Sequence, residues 1–159
     1  MSSVRTNLRN GLKACVQEMT TAGGYNFTYT QVFDPPINME QMTVYPTVNI
    51  LYGQERRQNN RYRSGNDAVF DLLLPVQFNV FINENNNISL AQDKVLADFQ
   101  KYFGNNYYVK PATGSRTLFE IAYLSCVVWG TEREVPNCGL SIDFEAYYSI
   151  RVNNPDLMI

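Results

Sequence analysis

Arginine guanidinium groups are the densest chemical functionality in this chain. Four of its 13 basic residues, Arg56, Arg57, Arg61 and Arg63, fall within residues 54–63, with Tyr62 among them and Gln and Asn between. A planar guanidinium presents a fork of N–H donors that fits carboxylates and phosphates. That is recognition chemistry. The stretch reads as a contact arm that meets an acidic partner or lines a channel carrying DNA, or else as a solvated loop. A second set, Asp143, Glu145, Tyr147 and Arg151, falls at alternate positions of an apolar run and offers polar contacts for lateral packing against a neighbour.

Bond-making chemistry has far less to work with. There is no histidine, which removes the commonest general base, the Ser-His-Asp and Cys-His arrangements, and the usual zinc and iron ligand sets. No phosphate-cradling GxxxxGK[ST] or GxGxxG occurs. Cys15, Cys126 and Cys138 form no CxxC pair and no metal-ligand spacing, and they read as reduced core thiols. Glu132 and Glu134, and Asp143 and Glu145, are carboxylate pairs of the kind that face solvent or a subunit. The sequence therefore predicts no catalytic residue, no cofactor and no metal site.

The net charge of −2 and the pI near 5.1 supply no global positive field for nucleic acid, so a polyanion contact would have to be local. No apolar run follows the N-terminus that could be a signal peptide, and the longest, residues 69–74, is interrupted by Asp71 and stopped by Pro75. A membrane helix needs about 18 apolar residues or more, so the expectation is a soluble, non-membrane chain.

The elements that would carry these groups follow from periodicity. Residues 3–20 place Val4, Leu8, Leu12, Cys15, Val16 and Met19 at three- and four-residue steps, a helix that Gly23-Gly24 stops. Residues 25–33 and 46–52 read as strands, and the polar stretch 54–67 as a long loop. Residues 69–82 alternate as a strand, with Pro75 demanding an edge or a bulge. Ser89 and Gln92 have capping-box spacing at the start of a helix that runs to about residue 103. Residues 116–129 are apolar on both faces, as in a central strand, and residues 140–152 alternate cleanly. The fold class is α+β: residues 1–152 as one domain, a mostly antiparallel or mixed sheet of about five strands with two helices on one face. Residues 153–159 read as a free tail.

This order of elements resembles the bacteriophage tail terminator, or tail completion, family. The resemblance runs from Val4 to Val152. It is carried by the opening helix, the strand entry Tyr45-Pro46-Thr47-Val48-Asn49-Ile50, a polar arm, and a strand ending in Phe78-Asn79-Val80-Phe81-Ile82. A second helix bearing Asp98 and a Tyr-rich closing strand from Phe144 to Val152 complete it. The resemblance implies a virion protein assembled in the host cytoplasm: a homo-oligomeric ring, usually hexameric, that caps the head-proximal end of the tail tube. Its partners would be the tail tube protein on one side and a neck or connector protein on the other, with DNA passing through the lumen. The arm at 54–67 and the connector at 34–45 are the candidates for inter-subunit or axial contact, with Arg56, Arg57, Arg61 and Arg63 facing lumen or tube.

Two other readings stand beside it. One is a head–tail connector or neck (head completion) subunit built on a similar small domain. The other, from a different class, is a small-ligand or single-stranded nucleic-acid binding module in which Tyr and Phe of a sheet face stack on bases.

Overall fold

The computed structural model describes residues 4–63, 67–84, 86–105, 108–109, 119–130, 138–151 and 154–158, with backbone alone for 59–63, 67–68, 108–109, 119, 151 and 154–158. Helix α1 (Val4–Glu18) buries Val4, Leu8, Leu12, Cys15 and Val16 along one stripe, as its spacing predicts. A one-turn 3₁₀ helix (Thr21–Gly23) follows. It is closed by Gly24 at φ 86°, a left-handed conformation that other residues resist. Strands β1 (Gln31–Phe33), β2 (Thr47–Tyr52), β3 (Arg56–Arg63) and β4 (Asp67–Ile82) come next, then helix α2 (Ile88–Asn105). Strands β5 (Tyr108–Val109), β6 (Phe119–Trp129), β7 (Cys138–Arg151) and β8 (Asn154–Met158) complete the chain.

All the strands join one mixed sheet in the order β1-β2-β4-β7-β6-β5, with β3 also on β4 and β8 also on β7. Strands β1 and β2 run parallel and the other pairs antiparallel. Because β7 occupies one flank of β4 from Val69 to Ile82, β2 and β3 share the other flank end to end, at Val76–Phe81 and Asp67–Leu73. The same logic puts β8 in line with β6 along β7. Among the described residues eight strands thus fill six positions, where about five strands were expected. The sheet residues in the core share one parity: Leu72, Leu74, Val76, Phe78 and Val80 of β4 with Leu140, Ile142, Phe144, Ala146 and Tyr148 of β7. Both helices bury their stripes in that same cluster, so both lie on one face of an α+β fold. Phe103 of α2 stands 5.0 Å from the Phe144 ring and 5.5 Å from Phe78, centroid to centroid.

Pro75 behaves as its chemistry requires. Although β4 is internal, Pro75 falls between the last residue paired with β2, Val76, and the first paired with β3, Leu73. Pro75 keeps its place opposite Glu145 of β7, while on the β2/β3 flank no strand among the described residues pairs with it and asks for the missing N–H. Its carbonyl accepts from the Gly53 amide at 2.9 Å, and Gly53 must be glycine, since a Cβ would sit 2.9 Å from the Pro75 Cβ.

Four expectations are corrected. Residues 56–63, read as part of a loop, form a strand, because the apolar half of β4 has backbone groups to satisfy and β3 supplies the partners. The strand expected at 25–33 shrinks to Gln31–Phe33. Before it, Asp98 of α2, only 1% exposed, captures the backbone. The Asn26 amide donates to its Oδ1 at 2.8 Å, the Asn26 side-chain amide to Oδ1 at 2.8 Å, the Phe27 amide to Oδ2 at 3.1 Å and the Tyr29 hydroxyl to Oδ2 at 2.9 Å. Burial, with the Asp98 charge beside it, pushes the Tyr29 phenol well up, so it stays protonated and donates. The Ser89–Gln92 capping box does not form. Asn87 accepts from the Leu90 amide at 3.1 Å instead, and Gln92 is buried, donating to the carbonyls of Trp129 and Gly139 at 3.0 and 2.9 Å. Finally, the expected free tail carries β8, which continues the flank of β7 that β6 leaves after Tyr147.

Helix α1 is tied to the sheet by two bidentate ion pairs. Arg5 donates to Glu55 at 2.9 and 2.5 Å, and Arg9 grips Asp34 while lying 4.9 Å above the Tyr52 ring. The Tyr148 hydroxyl also donates to Glu55. The Arg5 hydrogen bond is the largest of the effects that hold the Glu55 carboxyl below its ordinary range. A depressed carboxyl adds stability above the unfolded-state pKa and loses it as pH falls through the folded-state value. Glu55→Gln is therefore expected to cost about 1 kcal/mol at pH 7, the upper range for a partly exposed pair. The gap to wild type should close below about pH 4, as read by urea denaturation across pH.

Candidate functional site

Among the described residues, no group of three or more His, Cys, Asp or Glu is placed to hold a metal ion, and no helix there is long and apolar enough to cross a membrane. Cys15 and Cys138 are buried and Cys126 half-buried, and burial pushes each thiol up, away from the reactive thiolate. What the fold does build is a surface for contact.

That surface is strand β6. It pairs with β7 on one flank from Glu120 to Trp129, but on the other flank β5 covers only Phe119 and Glu120. From Ile121 to Trp129 its outer backbone meets no strand among the described residues. Ile121 is buried, yet Tyr123, Leu124, Val127 and Val128 are 41%, 51%, 60% and 51% exposed. The register explains why both faces are apolar: Tyr123 and Val128 stand opposite Phe144 and Leu140 on the helix side, and Val127 opposite Ser141 on the helix-free side. A register shift between Tyr123 and Ser125 places Leu124 in a bulge. Between the end of α2 and the edge opens an apolar cleft of about 360 Å³ lined by Gln100, Phe103, Ile121, Tyr123 and Phe144. A long, apolar, unpaired edge is an adhesive feature that monomeric proteins blunt with charges, prolines or covering elements.

This corrects the reading of residues 116–129 as a central strand. Among the described residues β6 lies toward the margin of the sheet, with apolar side chains on both faces.

The predicted site residues divide between the internal strand β7 and strand β3. Asp143, Glu145 and Tyr147 lie on the helix-free face of β7, an internal strand, so they form part of a face and not of the lateral edge. Asp143 accepts from the Gln77 amide at 2.8 Å and the Ser125 hydroxyl at 3.1 Å, and Glu145 accepts from the Tyr147 hydroxyl at 2.5 Å. Neither carboxylate pairs with a cation among the described residues. Arg56 and Arg57 are exposed at the start of β3, on the far flank of β4, and the Arg57 guanidinium lies 5.2 Å above the Phe70 ring. Arg61, Tyr62 and Arg63 are in β3, and Arg151 in β7 opposite Val69, with side chains outside the described residues. The connector at 34–45 is pinned by buried Asn49, which bonds both the N–H and C=O of Ile37, and it exposes Met39 and Val44. Among the described side chains, the basic and acidic sets are not brought together.

A base-stacking platform gains little from this arrangement. Phe78, Phe99, Phe103 and Phe144 are spent inside the core, and Tyr29 is buried with them. Residues Tyr123, Leu124, Val127 and Val128 were not foreseen as a site, since only their apolarity signals them and a core strand has the same signature. No protein-family model and no curated protein sequence matches the chain.

Proposed function

We propose that this chain is a structural subunit that works by assembling with copies of itself and with other proteins. The resemblance in its element order points to the tail-terminator role: a ring that caps the head-proximal end of a tail tube and joins it to the neck. The observation that supports assembly is the flank of β6 from Ile121 to Trp129, which no strand among the described residues covers and which carries four large exposed apolar side chains. Covering those half-exposed side chains contributes on the order of 1 kcal/mol each, and the added strand satisfies the backbone. A cap differs from a tube segment in that one face matches the tube and the other does not repeat it, which a ring with two unlike faces achieves.

Light scattering tests assembly. The wild type is expected at a multiple of 18.2 kDa, and Val127→Lys, which puts a charge on the edge without touching the core, is expected to shift it to the monomer mass. Negative-stain images should then show closed rings, six-fold if the resemblance holds. Monomers at every concentration, or open filaments, would count against the proposal.

A further inference from the structure

Strand β1 is a second margin of the same sheet, on the side opposite β6. Its outer flank pairs with no strand among the described residues. Its residues, Gln31, Val32 and Phe33, carry no charge, and neither does any residue of β6 from Ile121 to Trp129. Sheet margins are commonly kept from pairing by charges, prolines or covering elements. Two uncharged margins of one sheet are chemically suited to pair with each other.

Building on the self-assembly proposed above, we infer that β1 of one copy pairs antiparallel with the open stretch of β6 of the next, in a head-to-tail contact that repeats around a closed ring. Direction, level and face each support it. Strand β1 runs parallel to β2 and therefore against β4, while β6 runs with β4. Copies related by rotation about an axis along the strands thus present β1 antiparallel to β6. Followed through β2, β4 and β7, the registers set Gln31 level with Trp129, Val32 with Val128 and Phe33 with Val127. That rotation therefore brings the two margins together without a shift along the strands. It also keeps each face of the sheet continuous. Val32 and Val128 both lie on the helix side, and Phe33 and Val127 both lie on the helix-free side. There the half-buried Phe33 meets a valine that is 60% exposed in the single copy, an aromatic side chain against a β-branched one. Because two different margins meet, the contact is heterologous and closes into a ring when its rotation does.

A pair of introduced charges decides it, read by light scattering on the full chain with a thermal melt to confirm that each variant folds. Phe33→Glu alone and Val127→Lys alone should each weaken self-association by about tenfold or more, since each puts an unpaired charge into an apolar contact. The double variant F33E/V127K should recover most of that loss, because every contact around the ring then joins opposite charges. The like-charged F33K/V127K should stay dissociated. If a Phe33 variant does not fold, the wild type alone serves: on dilution through dissociation, the amides of residues 31–33 and 127–129 should lose exchange protection together. Unchanged association in F33E, no recovery in F33E/V127K, or amides at 31–33 that exchange alike in the assembled and dissociated protein would overturn the β1 contact while self-assembly stands. A wild type that is monomeric at every concentration overturns both.

Discussion

Replacing Asp98 with alanine is expected to cost the fold about 3–5 kcal/mol, from the buried donors it would orphan. Asp98 makes the most hydrogen bonds between the irregular segment after α1 and α2, beside the Lys101 ammonium on the Gly24 carbonyl and the Asn26 side chain on the Lys94 carbonyl; its two oxygens accept from the amides of Asn26 and Phe27, the Asn26 side chain and the Tyr29 hydroxyl. These donors come from residues 69–72 positions away in the chain, and water does not reach Asp98 to replace it. Asp98→Asn should fall between, because the amide keeps one acceptor but turns a donor toward others. Tyr29→Phe, which removes one donor and leaves the carboxylate satisfied by three, should cost about 1 kcal/mol. Urea midpoints of the three variants would rank them in that order. Equal, small losses would show that the segment is held by the Phe27, Tyr29 and Phe99 rings and not by the carboxylate.

Gly139→Ala should be nearly as damaging, at about 3 kcal/mol or more, for a reason of space alone. A Cβ at Gly139 would lie 2.0 Å from the Val80 carbonyl oxygen and 2.7 Å from the Trp129 indole. The indole can rotate away, but the carbonyl belongs to the β4–β7 ladder and cannot move without parting the two strands. Over this glycine the rings of Phe81 and Trp129 meet, 5.0 Å between centroids, from strands on either side. Adding Trp129→Leu to Gly139→Ala should therefore recover little of the loss. A full recovery in calorimetric Tm would locate the clash in the indole.

The parts of this fold that could be read from residues are those where a short-range period meets a burial gradient. Helix α1, the body of α2 and the alternation of β7 emerge where expected, since each buries one stripe or one face against the same cluster. Even the break at Pro75 was visible, because a residue without an N–H cannot donate to a strand on the flank it would face. The failures share a different cause. Strand β3 has no apolar face, and it is a strand because β4 lies beside it; the turn-forming residue types Ser64, Gly65 and Asn66 between them were the one local hint. The segment at 25–30 has β-type composition but gives its amides to a carboxylate some 70 positions distant. The site was harder still. Apolar residues on both faces of β6 look alike in sequence whether another strand or another molecule covers them, so Tyr123 through Val128 were read as interior. Asp143 and Glu145 were correctly placed on the outward parity of the last strand, but which strand forms the margin of a sheet is a property of topology, and no residue in β7 encodes it.

Amide hydrogen exchange across residues 121–129 tests the central claim most directly, with the wild type held at a concentration where it assembles and Val127→Lys as the monomeric reference. An edge that is covered by another copy should exchange slowly along this stretch in the wild type and at least tenfold faster in the variant, with β4 and β7 equally protected in both. Equal, fast exchange at 121–129 in the two proteins would mean that the apolar edge stays open to water in the assembled state, and the account of this strand as the assembly surface would fail.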